Sequence, residues 1–154
     1  MSEPINIVQL VLDLPSRPRG RACIVLTHDY FGQKEWAAEL GRQTDSEHIN
    51  LLDIFAKDKT FGDKIGHFLV SELFGFLKNR SQAPILIVSG MEFLKATWTS
   101  QSNLVEQFAS RVETWNQTPC LLFVLQYDKT LAAREFRRFR QHTFVADQKE
   151  TLAL

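Results

Sequence analysis

Three stretches of this chain, Cys23 to Leu26, Ile85 to Val88 and Leu121 to Leu125, are apolar without interruption and rich in Ile, Val and Leu. A strand with one wet face alternates apolar and polar residues, whereas a strand covered on both faces does not. The three runs therefore predict central strands of a parallel sheet with helices on both sides. A fourth strand is expected over Ile49 to Ile54 and a short fifth over Phe144 to Ala146. Between them, apolar residues three and four apart predict helices over Gln33 to Gln43, Thr60 to Leu77, Asn103 to Trp115 and Thr130 to Arg140. In the second of these, Phe61, Ile65, Phe68, Leu69, Leu73 and Phe76 make the expected buried stripe. The expected fold is one α/β domain over residues 1–154, a three-layer sandwich with a mostly parallel sheet of four to five strands. Residues 1–20 are read as an N-terminal helix, Ile5 to Leu14, followed by a loop.

A chain of 154 residues supports one hydrophobic core. Its 18 basic and 18 acidic residues cancel, which removes any long-range field toward a polyanion. No apolar run approaches the roughly 20 residues that a membrane span needs. Cys23 and Cys120 each lead into an apolar run, where a thiol packs as a small hydrophobe. With no Cys-x-x-Cys pair and no export signal, a cytoplasmic location is expected. His28, His48, His67 and His142 lack the spacing of a metal site, and no G-x-S-x-G elbow is present, so neither a metal nor a catalytic residue is assigned. An acidic cluster of His28, Asp29, Asp53 and Glu92 at the strand ends is a remote metal option.

In such folds ligands bind at the carboxyl ends of the strands. After the first strand the chain reads Thr27-His28-Asp29-Tyr30-Phe31-Gly32-Gln33-Lys34, the placement and length of a phosphate-binding loop, G-x-x-x-x-G-K-[ST]. Gly32 matches the second glycine. Thr27 replaces the first, Gln33 replaces the phosphate-neutralising lysine, and Lys34 replaces the hydroxyl residue that would hold magnesium. The third strand resembles a Walker B strand with Ser89 in place of its aspartate and Glu92 three positions on. Gly32, Gln33, Lys34, Ser89 and Glu92 thus form a degenerate nucleotide site where ATP and magnesium are not expected to bind productively. Replacing Gln33 or Lys34 by alanine is expected to leave stability and activity intact. Gln126 occupies the place of a polar sensor residue after the fourth strand, and Asp128 suits a helix cap.

The stretches Thr27 to Lys34, Ser89 to Glu92 and Glu135-Phe136-Arg137-Arg138-Phe139 resemble the Walker-type loop, the aspartate-x-x-glutamate and the late glutamate-aromatic-arginine segment of BrxF, the small P-loop proteins of BREX phage-defence systems. The resemblance implies a degenerate member of that family that keeps the scaffold and lacks the enzyme: an accessory or assembly subunit of a bacterial DNA-defence or DNA-processing complex, with a protein partner. An ATP-binding switch with an unorthodox loop is the enzyme-class alternative. A nucleic-acid-binding module is another, through Arg134, Arg137, Arg138 and Arg140 on one helix, which could equally be a docking surface for an acidic partner. Trp98, in a polar stretch, is expected either to be an exposed aromatic anchor or to fold back on the helix that follows.

Overall fold

The computed structural model describes residues 4–28, 30–63, 68–78, 80–98, 102–139 and 141–154. In chain order the elements are α1 (Ile7–Asp13), β1 (Ala22–Thr27), α2 (Tyr30–Thr44), β2 (Glu47–Asn50), α3 (Leu51–Lys57), α4 (Lys59–Gly62), α5 (Val70–Lys78), β3 (Ile85–Ser89), α6 (Glu92–Trp98), α7 (Ser102–Thr114), β4 (Cys120–Gln126), α8 (Lys129–Ala133) and β5 (Val145–Asp147). The sheet order is β2-β3-β4-β1-β5, and all its pairings are parallel. Ile24 of β1 lies opposite both Phe123 of β4 and Val145 of β5.

The unbroken apolar runs are buried on both faces, as their composition requires. Ala22, Ile24 and Leu26 of β1 point into one core with Leu121, Phe123 and Leu125 of β4. Cys23 and Val25 point into the other with Leu122 and Val124. The second core is closed by Ile7 and Val11 of α1 and Ala37 and Leu40 of α2. The first is closed by residues of α3, α5, α6, α7 and α8, among them Phe55, Phe74, Trp98, Phe108 and Leu131. This is the three-layer α/β arrangement. No helix among the described residues is long and apolar enough to cross a membrane.

Two predicted elements differ. Strand β2 ends at Asn50, and Leu51 to Ile54 belong to a helix instead. The Asn50 side chain explains the switch: its Oδ1 accepts the Asp53 N–H at 3.1 Å and caps α3, which then buries Leu51 and Phe55 one turn apart. The long helix predicted from Thr60 to Leu77 is broken, with α4 ending at Gly62 and α5 starting at Val70. Gly62 and Gly66 both weaken helix through that span. Phe68 and Leu73 are buried as expected, whereas Leu69 is exposed. Ile65 and His67 lie outside the described residues, as does the Phe61 side chain.

The faces to which the helices are assigned locate the binding edge. From β1 the chain crosses to β2 over the α2 face, and every later crossover runs back over the opposite face. Neighbouring strands β1 and β4 therefore send their chains onto opposite faces. The carboxyl edge between them, with β3 alongside, is a topological switch point.

Candidate functional site

At that edge the side chains bind one another. Thr27 is fully buried; its hydroxyl donates to the Leu125 carbonyl at 3.1 Å and accepts from Gln33 Nε2 at 3.2 Å. Gln33 is only 3% exposed. Its Nε2 also donates to Glu92 Oε1 at 2.9 Å, and its Oε1 accepts the Gly90 N–H at 3.3 Å. Glu92 Oε1 accepts the Gln126 N–H at 2.6 Å as well. One carboxamide and one carboxylate thereby tie together the ends of β1, β3 and β4. Glu92 Oε2 is buried without a hydrogen-bond partner.

Helix α2 begins at Tyr30, so Gly32, Gln33 and Lys34 sit in its first turns. Lys34 reaches away from the network to Asp53, with Nζ 2.5 Å from Oδ2. The ammonium holds the Asp53 carboxyl below its usual range. Ser89 is fully buried and faces β2: its Oγ is 2.7 Å from His48 Nε2 and accepts from Asn50 Nδ2 at 3.1 Å. The structure brings together Gln33 and Glu92 among the five residues of the degenerate site. Lys34 and Ser89 are held by neighbours toward β2, and no polar contact of Gly32 with the network is present among the described residues.

This geometry corrects the expectation that Gln33 is dispensable. Gln33→Ala leaves the buried Gly90 N–H without its acceptor and removes a donor from the partly buried Glu92. The expected loss is about 1–3 kcal/mol, checked as a lowered urea midpoint. Lys34→Ala, at an exposed ion pair, is expected to leave the midpoint near that of the parent.

The His48–Ser89 contact gives the edge a pH dependence. Burial, and then the nearby Lys34 charge, push the His48 pKa below its ordinary 6.5. Above about pH 7.5 the imidazole is neutral in both folded and unfolded chains and contributes no slope. As pH falls below that value the unfolded chain takes up the proton first, so stability drops until the folded chain protonates too. Burial followed by Arg17 lowers His142 in the same direction. The urea midpoint is expected to fall between about pH 7.5 and 5, with a shallower fall in His48→Gln.

The arginine segment is not a helix. Asp128 caps α8, its Oδ1 accepting the Leu131 N–H at 3.0 Å, but α8 stops at Ala133 and Arg134 is extended. Tertiary contacts prevail over local helix spacing here: Phe136 stacks on Phe144 at 5.1 Å, and the Arg138 N–H donates to Glu113 Oε2 at 2.9 Å. Arg134 is largely buried, with Nε donating to Glu106 Oε2 at 2.9 Å and its guanidinium 4.9 Å over the Phe136 ring. Arg137 is exposed and pairs with Glu135; Arg140 lies outside the described residues. The arginine helix expected to hold an anionic partner is thus not formed among the described residues.

Of the two readings of Trp98, the surface anchor is corrected and the ring folded back on the following helix is the one found. Trp98 closes α6 at 1% exposure and packs on Phe108, with ring centroids 5.6 Å apart, so it is a core residue and not a surface anchor. Residues 99–101, which follow it, lie outside the described residues. Among the described residues no group of His, Cys, Asp and Glu side chains is arranged to hold a metal. His28 pairs with Asp147 at 3.0 Å, Asp53 with Lys34, and Glu92 with Gln33, while Asp29 is outside the described residues.

A residue that sequence reasoning passed over is Arg17. Arg17 is 8% exposed and staples Gly20 and Thr143 carbonyls at 3.1 and 3.0 Å. Its position in a Pro- and Arg-rich loop carries no signal of burial. The His28–Asp147 pair joins residues 119 positions apart, beyond the reach of any local pattern. Comparison with known proteins returns no matching family model, no matching curated protein and no matching solved structure.

Proposed function

We propose that this chain is a non-catalytic, P-loop-like subunit that works by binding a protein partner in a bacterial DNA-defence or DNA-processing complex. The observation that carries this reading is the occupation of the carboxyl edge by the chain's own Thr27–Gln33–Glu92–Gln126 hydrogen bonds. A nucleotide site needs donors left open for phosphate oxygens and a hydroxyl or carboxylate open to magnesium. Here a carboxamide stands in the lysine's place and spends its donors on Thr27 and Glu92, and the adjacent lysine is bound to Asp53. The DNA-defence setting follows from the resemblance to BrxF proteins.

The same edge offers chemistry suited to a protein surface. Phe31 on the first turn of α2 is 90% exposed and Leu52 on α3 is 43% exposed. Both border a shallow cavity of about 200 Å³ beside the Lys34–Asp53 pair. An aromatic and an aliphatic side chain next to a charged pair resemble the centre and rim of a protein interface.

The test is phage plating on cells carrying the chain with its genomic neighbours. Phe31→Glu is expected to lose protection while melting normally, and protection that survives it would contradict the reading. Loss of protection in folded Lys34→Ala accompanied by magnesium-dependent ATP binding in the parent would favour the ATP-switch alternative.

A further inference from the structure

On the β5 side of β1, away from the Gln33–Glu92 network, lies a cavity of about 530 Å³. Its volume is within the roughly 300–1,000 Å³ of small-molecule sites. Its wall draws on the carboxyl ends of three neighbouring strands: Leu26 of β1, Tyr127 just after β4 and Asp147 closing β5. Ligands of parallel α/β sheets bind at that edge. Phe136 and Val145 add apolar surface, and Glu150 adds a second carboxylate.

Two of these side chains are held from behind. The His28 ring stacks on that of Tyr127 with centroids 5.0 Å apart, and its Nε2 lies 3.0 Å from both carboxylate oxygens of Asp147. One imidazole outside the wall thus fixes an aromatic ring and a carboxylate of the wall together, as the supporting residues of a binding site do. The charges on the wall do not balance. Arg134 also lines the cavity, but its guanidinium is already met by Glu106 at 2.9 Å and Glu113 at 3.8 Å, neither of which lines it. The Glu150 carboxylate and the Tyr127 hydroxyl have no hydrogen-bond or ion-pair partner among the described residues. The wall therefore offers two carboxylates and a phenol oxygen beside apolar surface.

We propose that this cavity binds an organic cation, a primary ammonium carried on an apolar ring. The ammonium donates to the Glu150 carboxylate, to Asp147 and to the Tyr127 oxygen, and the ring lies against Leu26, Phe136 and Val145. An ammonium has three donors and no acceptor, which matches three acceptor groups on one wall. The carboxylates favour a cation over an anion, and the apolar surface favours a ring over a bare ion. This site is independent of the partner-binding role proposed for the opposite side of β1.

The test is a titration of the ¹⁵N-labelled full chain, followed by NMR, with benzylamine, benzyl alcohol, benzoate and ammonium chloride as probes. Saturable shifts are expected at the Tyr127, Val145 and Asp147 amides with benzylamine. Benzyl alcohol keeps the ring without the charge and ammonium chloride the charge without the ring, so each is expected to bind about tenfold more weakly or worse. Benzoate is expected not to bind. Glu150→Gln leaves the backbone carbonyl that accepts the Ile5 N–H in place; it should melt as the parent does and weaken benzylamine about fivefold or more. Tyr127→Leu is the second variant, expected to fold and to weaken the same probe. Absence of saturable shifts up to about 10 mM, or benzylamine binding undiminished in either folded variant, would overturn the site. Benzyl alcohol or benzoate binding as tightly as benzylamine would overturn its cation selectivity, and ammonium chloride doing so would overturn its apolar half.

Discussion

Phe108→Ala is expected to lower the free energy of unfolding by about 3–5 kcal/mol, read from the urea midpoint at unchanged slope. Phe108 has no exposed surface and sits at the centre of an aromatic cluster. Its ring centroid is 4.9 Å from that of Phe123 on β4, 5.6 Å from Trp98 on α6 and 5.9 Å from Phe74 on α5. Truncation therefore empties a space shared by the sheet and three helices, which cannot all collapse into it. A midpoint close to the parent's would show that the cluster does not hold this layer together.

Gly90→Ala is expected to cost about 2–4 kcal/mol, from two sources. Gly90 has φ +69°, a conformation that a residue with a Cβ adopts only under strain. An added Cβ also falls 2.5 Å from both Oδ1 and Nδ2 of Asn50, the side chain that caps α3 and donates to Ser89. Relief must come from moving Asn50, with loss of both contacts. The clash predicts coupling: Asn50→Gly combined with Gly90→Ala is expected to cost less than the two changes separately. Additive losses would assign the whole effect to backbone strain.

The layers were legible in the sequence because burial on both faces leaves a mark that does not depend on partners: Cys23–Leu26, Ile85–Val88 and Leu121–Leu125 can only be covered strands. Helix α7 was legible for the same reason, since Leu104, Phe108 and Val112 repeat at helical spacing and all are buried. The boundaries that moved were decided by single side chains. Asn50 turned a six-residue strand prediction into a strand end and a helix cap, and contacts from Phe144 and Glu113 drew residues after Ala133 out of the helix that their spacing suggested. The polar neighbours of Trp98 left a surface anchor and a ring folded back on the next helix equally open, and contact with Phe108 decides for the second.

The candidate site was half legible. The motif comparison identified Gln33 and Glu92 as the residues at the edge, but sequence spacing carries no information on whether two side chains 59 positions apart hydrogen-bond to each other. Their bond is what distinguishes an edge filled by its own side chains from one merely lacking a lysine. The cavity beside β5 left no trace, since Arg134 and His142 reach it from a non-helical segment whose path is fixed by Arg17 and Phe144.

Calorimetric titration of ATP into the full chain, with and without magnesium, tests most directly the claim that the β1–β4 edge is filled. The expected result is no magnesium-dependent binding, because the donors that phosphate would need are already bound to Thr27, Glu92 and Asp53. Submicromolar, magnesium-dependent binding that is lost in folded Lys34→Ala would contradict it.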